Sequence, residues 1–183
     1  AQPLYIDVVS LAEKFCIRKP FDTALRRKLV KLKKRVNNMN KIVPKDELVN
    51  FVGTKVEPTA WYEVSQERIN MFAECTGDNY FMHVDVEKAK QTDLGGTIAH
   101  GLLTLSLIPY LMLNFPVPEN MPHGLNYGFD KVRFLAPVRS GKRVRIHGEV
   151  LDVNWKQENH CVFKTGVTVE IEGEEKPALY AEW

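Results

Sequence analysis

The spacing of hydrophobic positions changes several times along this chain. Phe21, Leu25, Leu29, Leu32 and Val36 recur every three or four residues. That stripe predicts an amphipathic helix over 21–36, with Asp22 as its N-cap and Asn37, Asn38 and Asn40 at its end. Pro44 marks a boundary, and the body is expected from about Asn50. Thr59–Val64 reads as extended. Ser65-x-x-Arg68 opens a helix to about Thr76, with Ile69, Phe72, Ala73 and Thr76 on its buried face. Residues 77–96 lack a long period and contain Gly77, Gly95 and Gly96, so they read as a loop with a short helix around Val86–Lys90.

Ile98–Leu113 is apolar nearly all round and holds no Asp, Glu, Lys or Arg. Such a helix belongs in the middle of a domain, covered on every side. After Pro116 and Pro118 the period becomes two. Val132, Phe134 and Ala136 form one run, and Val144, Ile146, Gly148 and Val150 a second. Cys161, Phe163, Thr165, Val167, Val169 and Ile171 give the cleanest alternation. Glu172–Glu175 is a turn, and Ala178–Trp183 returns as a last strand. The expected architecture is α+β: four long antiparallel strands wrapped on one buried helix. Residues 1–49 form a basic helical extension to the body at 50–183.

Charge sharpens that division. Residues 1–45 hold 12 Lys and Arg against Asp7, Glu13 and Asp22, while the rest of the chain is acidic and the total is +2. A helix packed by its stripe, with a solvated basic face, accounts for the arm. A ligand's phosphates, a partner subunit and an anionic surface are the other readings. Aromatic residues are not interleaved with the basic ones, which argues against nucleic acid. Cys16, Cys75 and Cys161 are odd in number and widely spaced, so neither a disulfide framework nor a zinc site is expected. Gly101–Leu113 is too short for a membrane span and contains Pro109. Ala1–Ser10 lack a basic flank followed by an apolar core, so a soluble, cytoplasmic protein is expected.

The chemistry concentrates in two stretches. Thr76-Gly77-Asp78-Asn79-Tyr80-Phe81-Met82-His83 places a carboxylate and an imidazole five residues apart, among apolar neighbours that would desolvate both. An Asp and a His that converge on one water can hold it and take its proton. The alternative is a loop Asp that caps a turn and a His bonded to backbone. Gly95-Gly96-Thr97-Ile98-Ala99-His100-Gly101 precedes the apolar helix. Backbone N–H groups there can stabilise an oxyanion, or the glycines serve only a tight turn. His100 reads as a structural histidine. Ser106 lacks a nucleophile elbow. The histidines His83, His100, His123, His147 and His160 show no metal-ligand spacing, and no GxGxxG or P-loop is present, so neither metal nor cofactor is expected.

FAECTGDNYFMHVD resembles the signature of the MaoC-like dehydratases, the (R)-specific enoyl-CoA hydratase group, and GGTIAHGLLTLSL resembles that family's second block. NYGFDKVRFLAPVRSGKRVR and VEIEGEEKPALYAE are similar to the nodulation protein N-like subgroup. The resemblance spans roughly residues 52–183. It implies a hotdog fold, a homodimer or higher homo-oligomer, and reversible hydration of a trans-2-enoyl thioester of coenzyme A or acyl carrier protein. In that reading Asp78 and His83 handle the water and its proton. Gly101 offers its N–H to the thioester oxygen, and Ser106 supports the site. Tyr80 and Phe81 stand where many members have Asn-Pro, which implies an altered acyl pocket. Arg133, Arg139 and Lys142, with Lys131 and Arg143, are the body's candidates for coenzyme A phosphates. The rivals are a non-catalytic acyl-CoA- or partner-binding hotdog protein and a hotdog thioesterase.

Overall fold

The computed structural model describes residues 42–111, 115–121 and 124–183. The basic helix expected over 21–36 lies outside the described residues. Strand β1 (Ile42–Val43) pairs in parallel with β4 (Val117–Pro118). A 3-10 helix over Lys45–Phe51 follows and buries Leu48 completely. Chain on the N-terminal side of Asn50 is therefore already packed on the body.

Two short strands, β2 (Lys55–Val56) and β3 (Tyr62–Glu63), share one edge of the long strand β6 (Arg143–Gln157). Lys55 faces Glu149 and Tyr62 faces Val144, so the register slips between them. Pro58 lies in that slip, where its missing N–H leaves no ladder bond unmade. The expected extension is real at both of its ends. The Thr59 N–H reaches the Ile146 carbonyl at 3.0 Å, and the Val64 N–H reaches the Lys142 carbonyl at 2.9 Å.

The remaining strands are β5 (Lys131–Phe134), β7 (His160–Ile171) and β8 (Leu179–Glu182), and the antiparallel order is β2-β6-β7-β8-β5. Only β6 and β7 are long, at 15 and 12 residues; β5 and β8 have four each. On β6, Val144, Ile146, Gly148 and Val150 point inward, and on β7, Thr165, Val167, Val169 and Ile171 do. Cys161 and Phe163 are only half-buried, because β8 flanks β7 no earlier than Gly166.

Helix α1 (Gln66–Thr76) begins at Ser65, whose Oγ accepts the Arg68 N–H, and ends at Gly77 with φ +79°. The left-handed conformation there suits a glycine, and its N–H returns to the Ala73 carbonyl at 2.8 Å. Ile69 and Ala73 are fully buried. Thr76 is exposed, contrary to expectation, and its hydroxyl donates to the Phe72 carbonyl. The loop expected over 77–96 contains an additional turn of helix, α2 (Phe81–Val84), before α3 (Val86–Lys90). Asp85 joins the two, its carboxylate accepting the Lys88 N–H at 3.0 Å.

The single helix expected over 98–113 is divided. Ile98–His100 is extended: Ile98 bridges Arg139, and the Ala99 N–H reaches the Val138 carbonyl at 2.7 Å. Helix α4 then runs from Gly101 to Ser106, and α5 from Ile108 to Leu111. Pro109 accounts for the break, since it has no N–H for the Leu105 carbonyl and its ring crowds that oxygen. Leu103, Ile108 and Leu111 enter one core with Val144, Ile146, Val167, Val169, Ile171, Leu179 and Ala181. The helix is not covered on every side, however: Leu102 is 62% exposed and Tyr110 is half exposed. An antiparallel sheet laid over a helix in this way is the hotdog arrangement, mixed α+β.

Candidate active site

Gly77 ends α1 and turns the chain outward, which puts Asp78 just past the helix. One turn later α2 carries His83 inward. The carboxylate and the imidazole are not desolvated alike: the Asp78 side chain is 56% exposed, whereas His83 is buried. The His83 ring is fixed by its Nδ1–H, which donates to the Ile98 carbonyl at 2.7 Å. A carbonyl only accepts, so in the neutral ring the lone pair is on Nε2. The backbone of α2 is held from a second side, because Gln66 Nε2 donates to the His83 carbonyl at 2.7 Å. The Thr97 hydroxyl donates to the other end of the same Gln66 amide.

His100 belongs to this site, which its sequence position did not reveal. It is 4% exposed and stacks on His83, with ring centroids 3.7 Å apart and planes 25° apart. Its Nε2–H donates to the Asp78 backbone carbonyl at 2.9 Å, and Nε2 is 3.9 Å from Asp78 Oδ2. Phe72 of α1 backs the ring from 5.0 Å. Asp78, His83 and His100 each bring one ligand-type atom within 4.8 Å of the others. The two histidines, 17 residues apart in the sequence, meet only through the fold. The signal available in the sequence was the apolar context of His100 between Ala99 and Gly101.

A cleft of about 290 Å³ opens beside His83. Ile98, Gly101 and Thr104 line one wall, and Phe134–Val138 with Ala178 line the other. Gly101 is the first residue of α4, where a backbone N–H has no helical acceptor. A Cβ at Gly101 would stand 2.9 Å from Phe134 Cδ1, so the absence of a side chain lets the Phe134 ring lie against the helix start. Phe81 is half-buried and Tyr80 exposed, and their rings pack at 4.8 Å on the same loop. Ser106 is not brought to the pair: its hydroxyl donates to the Leu103 carbonyl within α4.

The basic candidates separate. Lys142 forms an ion pair with Glu174 at 3.3 Å and Arg143 pairs with Glu172, so both are engaged by carboxylates. Lys131 lies over the Tyr180 ring. Arg139 donates to the Leu94 carbonyl and braces the turn at Gly95, whose φ is +66°. Arg133 donates to the carbonyl of its neighbour Val132 and remains exposed next to Phe134. Neither Arg133 nor Arg139 takes part in the ion pairs formed among the described residues.

Comparison with known proteins fits this geometry. The family model described as "MaoC like domain" matches residues 47–171. Nodulation protein N of Rhizobium meliloti (strain 1021) is 40% identical over 141 residues, covering 75% of this chain and 86% of that protein. 3-Hydroxyacyl-thioester dehydratase Z of Mycobacterium tuberculosis is 40% identical over 136 residues, covering 74% of this chain and 90% of that one. Among solved structures, a monoamine oxidase regulatory protein from Archaeoglobus is 29% identical with a TM-score of 0.59, over 72% of this chain and 86% of that chain. An (R)-hydratase from A. caviae shares the fold at 22% identity and a TM-score of 0.56, over 72% and 92% of the two chains. Among the described residues no helix is long and apolar enough to cross a membrane.

Proposed function

Because the chain belongs to the MaoC-like domain family, we propose that it is a hydratase/dehydratase of acyl thioesters, adding water to a trans-2-enoyl-CoA to give the (R)-3-hydroxyacyl-CoA. One observation carries the reading. His83, whose Nε2 is left free by the Ile98 bond, lines a largely apolar cleft, and a carboxylate oxygen of the half-exposed Asp78 lies within 4.8 Å of one of its ring nitrogens.

In the hydration direction the water oxygen adds to the β-carbon, and the electron pair of the double bond moves toward the thioester carbonyl. The water proton passes to the Asp78–His83 pair, and the pair returns a proton to the α-carbon. His83 exchanges its proton through Nε2, since Nδ1 is committed to the Ile98 carbonyl. Charge building on the thioester oxygen meets the Gly101 N–H at the start of α4. One such donor typically accounts for about 3–4 kcal/mol of barrier. The cleft at Phe134 and Ala136 takes the acyl group beside the reacting carbons. Arg133 is the basic residue best placed at this rim to meet an anionic carrier, either coenzyme A or acyl carrier protein.

A second copy of the chain completes the picture. The exposed faces of Leu102 on α4 and Tyr110 on α5 are apolar surface that a homodimer would bury, and Leu102 sits next to Gly101.

The test is the loss of enoyl-thioester absorbance with crotonyl-CoA and with a longer enoyl-CoA. Wild-type protein is expected to hydrate at least one of them. Asp78→Asn should lose most turnover while unfolding at the wild-type urea concentration, and His83→Ala should lose it too, at some cost in stability because the ring is buried. Saturable acyl-CoA binding without turnover would replace this reading with that of a binding protein.

A further inference from the structure

We propose that His100 is a positioning residue that sets the separation of Asp78 and His83 by holding both ends of the loop between them. The proposal rests on the hydratase reading for its kinetic consequence, but its structural content stands on the geometry alone.

Asp78 has no place in a helix or strand, and its side chain is more than half exposed. Its backbone is tied from across the chain by His100, 22 residues away, whose Nε2–H donates to the Asp78 carbonyl at 2.9 Å. The same ring covers the His83 imidazole face to face at 3.7 Å. One side chain therefore touches the residues on both sides of Asn79–Met82. Its own position is firmly determined. Ala99, the residue before it, is bonded to Val138, and the His100 carbonyl accepts the Thr104 N–H at 3.2 Å. Phe72 supports the ring from α1. The Nδ1 atom is buried without a hydrogen-bond partner among the described residues, so the Asp78 contact is the polar function of this ring.

A carbonyl acceptor requires the proton of His100 on Nε2. His83 has the opposite tautomer, with its proton on Nδ1. The Ile98 carbonyl decides which nitrogen of His83 meets water, and His100 holds the face of that ring and the Asp78 backbone at a fixed separation. A displacement of about 1 Å at such a site can cost on the order of 100-fold in rate.

The experiment has two arms. In wild-type protein, 15N NMR of the histidines should report an Nε2–H tautomer for His100 and an Nδ1–H tautomer for His83. The reverse assignment of either ring overturns the proposal, and this arm needs no variant to fold. In the second arm, His100→Phe keeps a stacking ring and loses the donor, whereas His100→Gln keeps a donor at the Nε2 position and loses the ring. Each should lower kcat by roughly 10- to 100-fold with KM little changed. Wild-type kcat in either folded variant, or a loss confined to KM, overturns the proposal. Absence of turnover in the wild type would remove the hydratase reading and leave the tautomer results to decide the role of His100.

Discussion

A methyl group added at residue 148 would fall within the Phe115 ring, which is buried against the glycine on β6. At Gly101 the added methyl meets Phe134, but that ring is half exposed and lines the cleft. The two glycines answer to different demands, one of packing and one of access. Gly148→Ala is expected to destabilise the protein by about 1–3 kcal/mol, as overpacked cores do. The urea midpoint should fall with the slope unchanged. Gly101→Ala should shift the midpoint less and instead raise KM for the enoyl thioester. Equal loss of stability in both variants would contradict this assignment.

At the scale of elements, the β6–β7 ladder carries its own charge array. Glu170 on β7 takes two hydrogen bonds from its cross-strand partner Arg145, at 2.6 and 3.1 Å, and one from His147. The Arg145 guanidinium, and then His147, hold the Glu170 carboxyl below its ordinary value of 4.5. Arg143 acts in the same sense on Glu172 one step along the ladder. A carboxyl whose folded-state pKa is depressed stabilises the fold above its unfolded value, and that contribution fades as pH falls through the folded value. Wild-type stability should therefore drop more steeply below about pH 4.5 than that of Glu170→Gln. The two curves should differ most near neutrality and converge in strong acid. Parallel melting temperatures from pH 7 down to pH 3 would show that the ladder charges contribute nothing.

On the scale of the whole molecule, the apolar surface is unevenly spread. Leu102 on α4, Tyr110 on α5 and Tyr127, the last 87% exposed, are large side chains in water. Two short helices without a single charge between Gly101 and Leu111 are costly to leave half covered. Sedimentation equilibrium is expected to give twice the mass of one chain, and Leu102→Glu to move the protein toward the monomer. A wild-type monomer at micromolar concentration would remove the second copy from the functional reading. Hydration activity that falls with dissociation would place the site near the shared surface.

Much of this architecture follows from short-range rules. Ser65 and Gly77 bound α1 because a hydroxyl can cap a helix start and a glycine can turn left-handed at its end. The alternation in β6 and β7 follows from the two-residue repeat of a strand with one face in the core. Asp78 and His83 were legible because five residues and one helical turn bring them together. The contacts formed across the chain were not. Ile98–His100 reads as helix by its apolar composition, yet it is extended because Met82, Val138 and Arg139 offer it backbone partners. Lys142 reads as a free cation until the turn after β7 brings Glu174 to it. His100 became a site residue only when the start of α4 docked beside α2, over a separation that periodicity does not record. The sequence by itself determined α1, the alternation of β6 and β7 and the nearness of Asp78 to His83, since those depend on neighbours within a few residues. Only the tertiary structure decided what holds that pair in place and which charges stay available, because both depend on how distant segments pack.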